Sequence, residues 1–419
     1  MSKVMIIGGG MTKFGRHPHR NLKSLAEEAV SQALADAGVD RGQLQAAWVG
    51  NASQGVLQGQ ESVRGQAVLF NLGLGGIPIV NVENACASSA TALYGARAFI
   101  ALGEYDLALI LGMEKMYFPD RAQVLPAFEG CMDVELLPGI MRKFHEDEER
   151  IRREQEAAGV DAKAQSGQRS IFMDLYAQMC RAHMEKYGTT QRQFAAIASK
   201  NHNHSQYNPR AQYTVPMTVA EVLATPEVAW PLTRAMCSPI GDGAAAAVVC
   251  SEELARKIGA KHAVEVAVSL VGSGLDEEAE ERLGRTSLAA LAARAYERAG
   301  LGPEDVDLAE VHDATAYGEL NATEQLGFCA LGEGGPYAQA GHTSLGGKKP
   351  VNPSGGLECQ GHPIGATGIR QIVELYWHLA GGGRAGARQV AGARVGLAQN
   401  AGGDIAGSEG ALSVTILKK

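Results

Sequence analysis

Two short segments carry residue types suited to acyl transfer. In Asn84-Ala85-Cys86-Ala87-Ser88-Ser89-Ala90, Cys86 stands where an apolar run, Ile77 to Val82, meets a small-residue helical pattern, roughly Ala87 to Leu102, ended by Gly103. A helix N-terminus carries partial positive charge and free N–H groups, which favour a thiolate. A thiolate attacks thioesters readily. A buried structural cysteine has the same pattern, so the site needs a base elsewhere. Gly361-His362-Pro363-Ile364-Gly365-Ala366-Thr367-Gly368 offers one. His362 lies in a glycine-rich turn before a helix over roughly Ile369 to Leu379. Pro363 fixes the backbone after it. A histidine there can take a proton from Cys86 and then polarise a thioester oxygen. A surface histidine in a turn reads the same way.

Two further segments are polar at the right places. Glu310-Val311-His312-Asp313-Ala314-Thr315 follows a short strand, and strand ends are where α/β folds build sites. Asp313 can also be a plain helix cap. In Gln399-Asn400-Ala401-Gly402-Gly403, the N–H groups of a glycine turn can hold an oxyanion, or the segment is an ordinary turn. Gly8-Gly9-Gly10 after the first strand fails the dinucleotide spacing, because Lys13 stands where the third glycine would fall. His202 and His204 have no supporting ligand cluster. They read as a surface loop, and no metal site is expected.

The elements that must position these residues alternate. A strand over Val4 to Gly8 leads through a glycine-rich turn to a helix over Leu22 to Ala37. Asp106 to Gly112 is a buried strand after the Cys86 helix. This alternation predicts an α/β layered fold. Residues from about Tyr117 to Val228 break the rhythm with a charged, Met-rich, helical pattern. Within it, Arg142 to Gly159 has little apolar face and reads as a solvated helix. The sheet pattern resumes at Gly241-Asp242-Gly243-Ala244 to Cys250, and a second α/β half runs from about Val264. Both halves close on a glycine turn and a final strand, Gly241 to Val249 and Gly407 to Thr415, which suggests duplication. The expected division is residues 1–116 completed by 229–255, a loop domain at 117–228, and a C-terminal half at 256–419.

The 419 residues are 45% hydrophobic and 20% charged, as in a soluble globular protein too long for one ordinary core. A net charge of -8 argues against nonspecific nucleic-acid binding. Seven cysteines without paired spacing argue against a disulfide framework and against C-x-x-C metal sites. No apolar run reaches membrane-span length. The start at Met1-Ser2-Lys3-Val4 shows no leader, and Ile416-Leu417-Lys418-Lys419 is no peroxisomal address. A cytoplasmic location is the expectation.

Together the segments resemble one family, the thiolases, and within it the sterol-carrier-type branch with its bacterial and archaeal relatives. The resemblance covers nearly the whole chain. It rests on the Cys86 segment, on Gly361 to Gly368, on Cys237-Ser238-Pro239-Ile240-Gly241-Asp242-Gly243-Ala244-Ala245, and on His312 to Gly327. It implies a duplicated five-layered αβαβα fold with a helical insertion. It implies an acyl-CoA C-acyltransferase that forms or cleaves a β-ketoacyl-CoA through an acyl-Cys86 thioester. The Cys86 and Gly402 N–H groups would hold the first oxyanion, His362 would activate Cys86, and His362 with His312 would hold the enolate-like oxygen. Asn400 and Asp313 belong to the substrate side of the motifs. CoA would be substrate and product, with no bound cofactor. A homodimer or tetramer is implied, and related chains work with a small zinc-ribbon/OB-fold protein. One departure stands out. The second cysteine of thiolases falls at Asn400 in the common branch and at Ala314 in the sterol-carrier branch, and both positions lack it. Cys359, Glu319 and Tyr317 are the substitutes considered for moving the α-proton. Competing readings on the same scaffold are a retro-aldolase and a non-catalytic acyl- or lipid-binding protein.

Overall fold

The structure is a computed structural model that describes residues 2–157 and 169–419. Nine strands join in one sheet. The N-terminal half contributes β1 (Val4–Met11), β2 (Ala46–Gly50), β3 (Ile79–Val82) and β4 (Leu107–Glu114). A small ribbon, β5 (Glu227–Ala229) with β6 (Leu232–Thr233), precedes β7 (Gly243–Ser251), which completes this half. The C-terminal half contributes β8 (Val264–Gly272), β9 (Leu308–Glu310), β10 (Val395–Ile405) and β11 (Ser408–Lys418).

The strand order, β3-β2-β4-β7-β1-β8-β11-β10-β9, repeats itself about the β1–β8 seam. On one side, β2 runs parallel to β4, β4 antiparallel to β7, and β7 antiparallel to β1. On the other, β9 runs parallel to β10, β10 antiparallel to β11, and β11 antiparallel to β8. The two halves share one path, with β3 as the extra edge strand of the first. The seam pairs only Met5 with Glu265 and Ile6 with Val264. The duplication inferred from the two glycine-turn-and-strand endings therefore has a topological counterpart in β7 and β11.

Alternation along the strands divides the core into layers. On β4, Ala108 and Ile110 face a central core shared with the helices Ser88–Ala101 and Ile364–Ala380. Leu107, Leu109 and Leu111 face an outer core beneath the helix Leu22–Ala37. A third core lies under the helix Ser287–Ala299 on the far side of the C-terminal half. The helix Ile364–Ala380 is buried along its whole length, as the middle of five layers requires.

Three local expectations change. β1 runs through Gly8 to Met11 instead of ending in a turn. A Cβ at Gly8 would stand 2.4 Å from the Ala33 carbonyl, and one at Gly10 2.2 Å from that of Ala29. These glycines let the helix Leu22–Ala37 lie on the strand. The Ile77–Val82 run is not a buried strand: β3 is an edge, and Val80 is 41% exposed. Gln399 to Gly403 lies within β10, not in a turn. The charged stretch forms the helix Leu137–Ala157, laced with exposed pairs such as Arg150–Glu154 and Arg153–Glu149. Residues 158 and 159 of that run lie outside the described residues.

Candidate active site

Cys86 sits in a tight turn between β3 and the helix Ser88–Ala101. Ala85, just before it, has φ of 46°, a left-handed conformation that a side chain adopts only at a cost of roughly 1–3 kcal/mol. The Glu83 carboxylate accepts the Ala85 N–H at 2.6 Å, and the Ser88 hydroxyl donates to the Ala85 carbonyl at 2.6 Å. These bonds hold the turn in place. From the other half, β10 brings Gly402 against it. A Cβ at Gly402 would stand 2.3 Å from the Asn84 carbonyl and 2.9 Å from the Cys86 nitrogen. Only glycine admits this approach.

His362 lies directly before the central helix. Its Nδ1 is 2.8 Å from the Thr367 hydroxyl, which donates its own hydrogen to the Pro363 carbonyl at 3.1 Å. The hydroxyl proton is thereby spoken for, so Thr367 accepts from Nδ1–H and leaves Nε2 with its lone pair. The glycines of this turn are spatial requirements too. A Cβ at Gly365 would stand 2.7 Å from the Glu114 carboxylate, which accepts the Gly365 N–H at 3.1 Å.

His312 follows β9. Its backbone N–H donates to Gln399 Oε1 at 2.9 Å, and among the described residues its buried Nδ1 has no partner. The His312 and His362 rings meet edge to face, with centroids 5.1 Å apart. One donor atom each from Cys86, His312 and His362 lie within 4.8 Å of one another. A soft metal ion could bridge such a set, but among the described residues no further histidine, cysteine or carboxylate joins it.

The three residues open on a cavity of about 460 Å³ lined also by Phe128, Phe172, Tyr176 and Tyr317. Burial sets the charge states. It raises the Cys86 thiol well above its ordinary range, with Cys131 and Glu114 adding to the effect. The helix N-terminus does not prevail over this desolvation, contrary to the sequence expectation. Burial likewise lowers His312 to about 3 and holds His362 well below the usual imidazole range, with His312 and Arg370 reinforcing it. The resting site is a neutral thiol facing neutral imidazoles, and ionisation belongs to the moment of attack.

The other residues singled out in the sequence fall into two groups. Gly402 and Tyr317 line the cavity. Asn400, Asp313, Glu319 and Cys359 do not. Asn400 donates to Gln371 Oε1 at 2.8 Å. Asp313 accepts the Leu357 N–H at 2.7 Å and so braces the segment leading to His362. Glu319 pairs with Lys200 at 2.5 Å, and Cys359 is fully buried within the helix Gly356–Gln360. His202 and His204 are buried in the helix Gln191–Ser205, not in a surface loop. His204 bonds the Asn352 carbonyl and the Leu345 N–H. Sequence reasoning gave no role to Thr367, Glu114, Tyr176 and Cys131. Thr367 stood in view, five residues after His362 within the same motif. Tyr176 and Cys131 come from the helical insertion, where no spacing marks them.

This fold and site define a CoA-dependent acyltransferase of the thiolase type. A family profile described as "Thiolase, N-terminal domain" matches residues 4–227, and "Thiolase C-terminal domain-like" matches 275–418. An acetyl-CoA acetyltransferase of Methanothermobacter thermautotrophicus is 38% identical, covering 96% of this chain and 97% of that one. Sterol carrier protein 2 of Homo sapiens is 37% identical over 100% of this chain and 72% of its own length. The benzoylsuccinyl-CoA thiolase subunit BbsB of Thauera aromatica is 36% identical over 88% and 87%. Among solved structures, an Ltp2-ChsH2(DUF35) aldolase superposes with a TM-score of 0.75 at 23% identity, covering 99% and 97%, which speaks to fold alone. The chain belongs to the thiolase family. Among the described residues no helix is long and apolar enough to cross a membrane.

Proposed function

We propose that Cys86 carries the acyl group of a β-ketoacyl-CoA thiolase and that His362 is its base. The convergence of the Cys86 thiol with two imidazoles within 4.8 Å carries this reading. Because Thr367 holds Nδ1–H, His362 Nε2 is the free acceptor for the thiol proton. As the thiol attacks a thioester or β-keto carbon, its proton passes to Nε2. The tetrahedral oxygen is then held by the Cys86 and Gly402 N–H groups, a reading supported by the close approach of Gly402 to the Cys86 backbone. His312 and His362 face the second carbonyl, whose enolate-like charge they stabilise. CoA is substrate and product. Of the groups considered for the α-proton, Tyr317 is the one that lines the cavity.

The test is mass spectrometry after incubation with a panel of acyl-CoAs. A labile acyl adduct on Cys86 is expected, lost in Cys86→Ala together with CoA-dependent cleavage of a β-ketoacyl-CoA. Absence of any adduct would favour a retro-aldolase or an acyl carrier on this scaffold.

The assembly follows from surfaces. β3 leaves its outer edge unpaired, and Tyr94, Phe99 and Leu102 of the adjoining helix segment are 44%, 44% and 75% exposed. An open edge strand beside exposed apolar side chains suits a second copy of the chain, hence a homodimer. Sedimentation at the single-chain mass would exclude it. A second protein component, of the zinc-ribbon/OB-fold kind that the family resemblance implies, is consistent with the two-component name of the aldolase neighbour. Seven free cysteines and the absence of a membrane-spanning helix among the described residues support a reducing, cytoplasmic setting. The division into 1–116 with 229–255, 117–228 and 256–419 is proposed as the domain plan.

A further inference from the structure

The cavity has two kinds of charged wall. Its cationic lining residues are Arg16, which follows β1, Arg169, within the helical insertion before the helix Ile171–Tyr187, and Arg234, just after β6. Its acids are Asp404 and Glu409, and both come from the β10–β11 hairpin. That hairpin sets them directly opposite each other across the strands, two residues beyond Gly402 in the case of Asp404. Tyr176, from the helix Ile171–Tyr187, and Tyr317 complete this polar patch. The mechanism above uses none of Asp404, Glu409 and Tyr176.

The patch is also under-bonded. Asp404 accepts one hydrogen bond, from the Gly407 N–H at 3.1 Å. The Glu409 carboxyl has only its own backbone N–H as a donor. Among the described residues, the Tyr176 and Tyr317 hydroxyls, which line the cavity, make no hydrogen bond. Polar groups that border a mostly apolar pocket without internal partners are those that orient a ligand. They penalise a ligand that leaves them unmatched. The phosphates of CoA repel carboxylates and pair with guanidinium groups, so the hairpin acids belong to the acyl group, not to the nucleotide.

We propose that the Asp404–Glu409 hairpin, with Tyr176, forms a polar acyl subsite that selects acyl chains bearing an uncharged oxygen function, a hydroxyl or an oxo group, over plain alkyl and carboxylate-bearing chains. The inference rests on the thiolase reading of Cys86. Burial raises both carboxyls above their usual range, and for Glu409 the neighbouring Glu280 and Asp404 add to it. A carboxyl held toward its neutral form both donates and accepts, which matches a hydroxyl or a carbonyl. A second carboxylate on the substrate would meet two acids and no cation on this wall.

The test compares acyl-CoAs of graded chain length in three forms at the chain end: unsubstituted, hydroxylated and carboxylated. The readout is the rate of Cys86 acylation, followed by mass spectrometry. At the best-fitting length, the hydroxylated chain is expected to acylate at least tenfold faster than the unsubstituted one, with the carboxylated chain slowest. Glu409→Leu should bring the ratio of hydroxylated to unsubstituted close to one, and Glu409→Gln should keep most of it. Should Glu409→Leu not fold, Tyr176→Phe reads the same ratio. Adducts formed without preference by the wild type, a preference for the carboxylated chain, or a variant that slows every chain by one factor would each overturn the subsite while leaving the Cys86 reading intact. No adduct from any chain would overturn both.

Discussion

His362 owes its tautomer to one hydroxyl. Thr367 Oγ1, one helical turn on, receives Nδ1–H because its own hydrogen goes to Pro363. Replacing it with valine keeps the shape and removes the acceptor. General-base catalysis is worth about 10²–10⁴-fold, and an ill-oriented base forfeits part of that. Thr367→Val is therefore expected to lower kcat for thiolysis roughly 10- to 100-fold with little change in KM, and Thr367→Ser should restore most of it. Steady-state kinetics with a β-ketoacyl-CoA would show it. At this scale the sequence was readable where motifs are local. Cys86, His362 and Thr367 lie in two short segments whose glycines and small residues are visible. Glu114 and Tyr176 are not readable in that way. The Glu114 carboxylate serves Ala52 and Gly365, which lie 62 and 251 residues away, so nothing in its own neighbourhood announces it.

The Cys86 helix and the His362 helix must lie almost backbone to backbone for thiol and imidazole to meet. Gly368 makes that possible, since a Cβ there would stand 2.5 Å from the Ala90 nitrogen and 2.7 Å from its Cβ. Backbone cannot retreat as a flexible side chain can. Gly368→Ala is expected to destabilise the protein by about 1–3 kcal/mol, the usual range for overpacking. It should also lower Cys86 acylation more than the loss of folded protein accounts for. Thermal melts beside the adduct assay separate the two effects. Helices are legible unevenly: the one after His362 begins at Ile364, five residues before the Ile369 of the sequence reading, and His202 and His204 lie in a helix where a loop is read. The helix Leu22–Ala37 was found at its limits, because periodic apolar faces and glycine stops are local signals. Strands misled wherever glycine was taken as a turn, in Gly8 to Gly10 and in Gln399 to Gly403. There glycine answers a neighbour's closeness rather than a bend, and that neighbour is distant in sequence.

For the whole molecule, buried titratable groups set the pH range of stability. Burial holds His204 and His312 at about 3 and His378 at about 4. Below about pH 6.5 an unfolded histidine takes a proton that these refuse, so stability falls as pH drops through that value. The acids act in the opposite sense. Asn201 Nδ2 reaches carboxylate oxygens of Asp313, Glu319 and Glu358 at 3.2, 3.1 and 2.9 Å, with Lys200 the nearby cation. Two amide hydrogens cannot serve three oxygens. Burial and mutual repulsion raise Asp313 and Glu358 well above the usual carboxylate range. Their contribution is complete below about pH 4, the unfolded value, and is lost as pH rises through their folded values. Glu358→Gln keeps the shape without the titration. Its Tm is expected to decline less than that of the wild type between neutral and alkaline pH, as thermal melts across a pH series would show.

The strand pairing between the halves is only two residue pairs wide, at Met5 with Glu265 and Ile6 with Val264, and the central helices carry the rest of their contact. Cys86 belongs to one side of the seam. His312, His362 and Gly402 belong to the other. On the roles proposed for Cys86 and His362, neither side holds the reacting pair by itself, so half of this chain is not half an active site. Chemistry becomes a report on docking. A disturbance that slips one half against the other would silence the enzyme even where the outer core of each half stays folded.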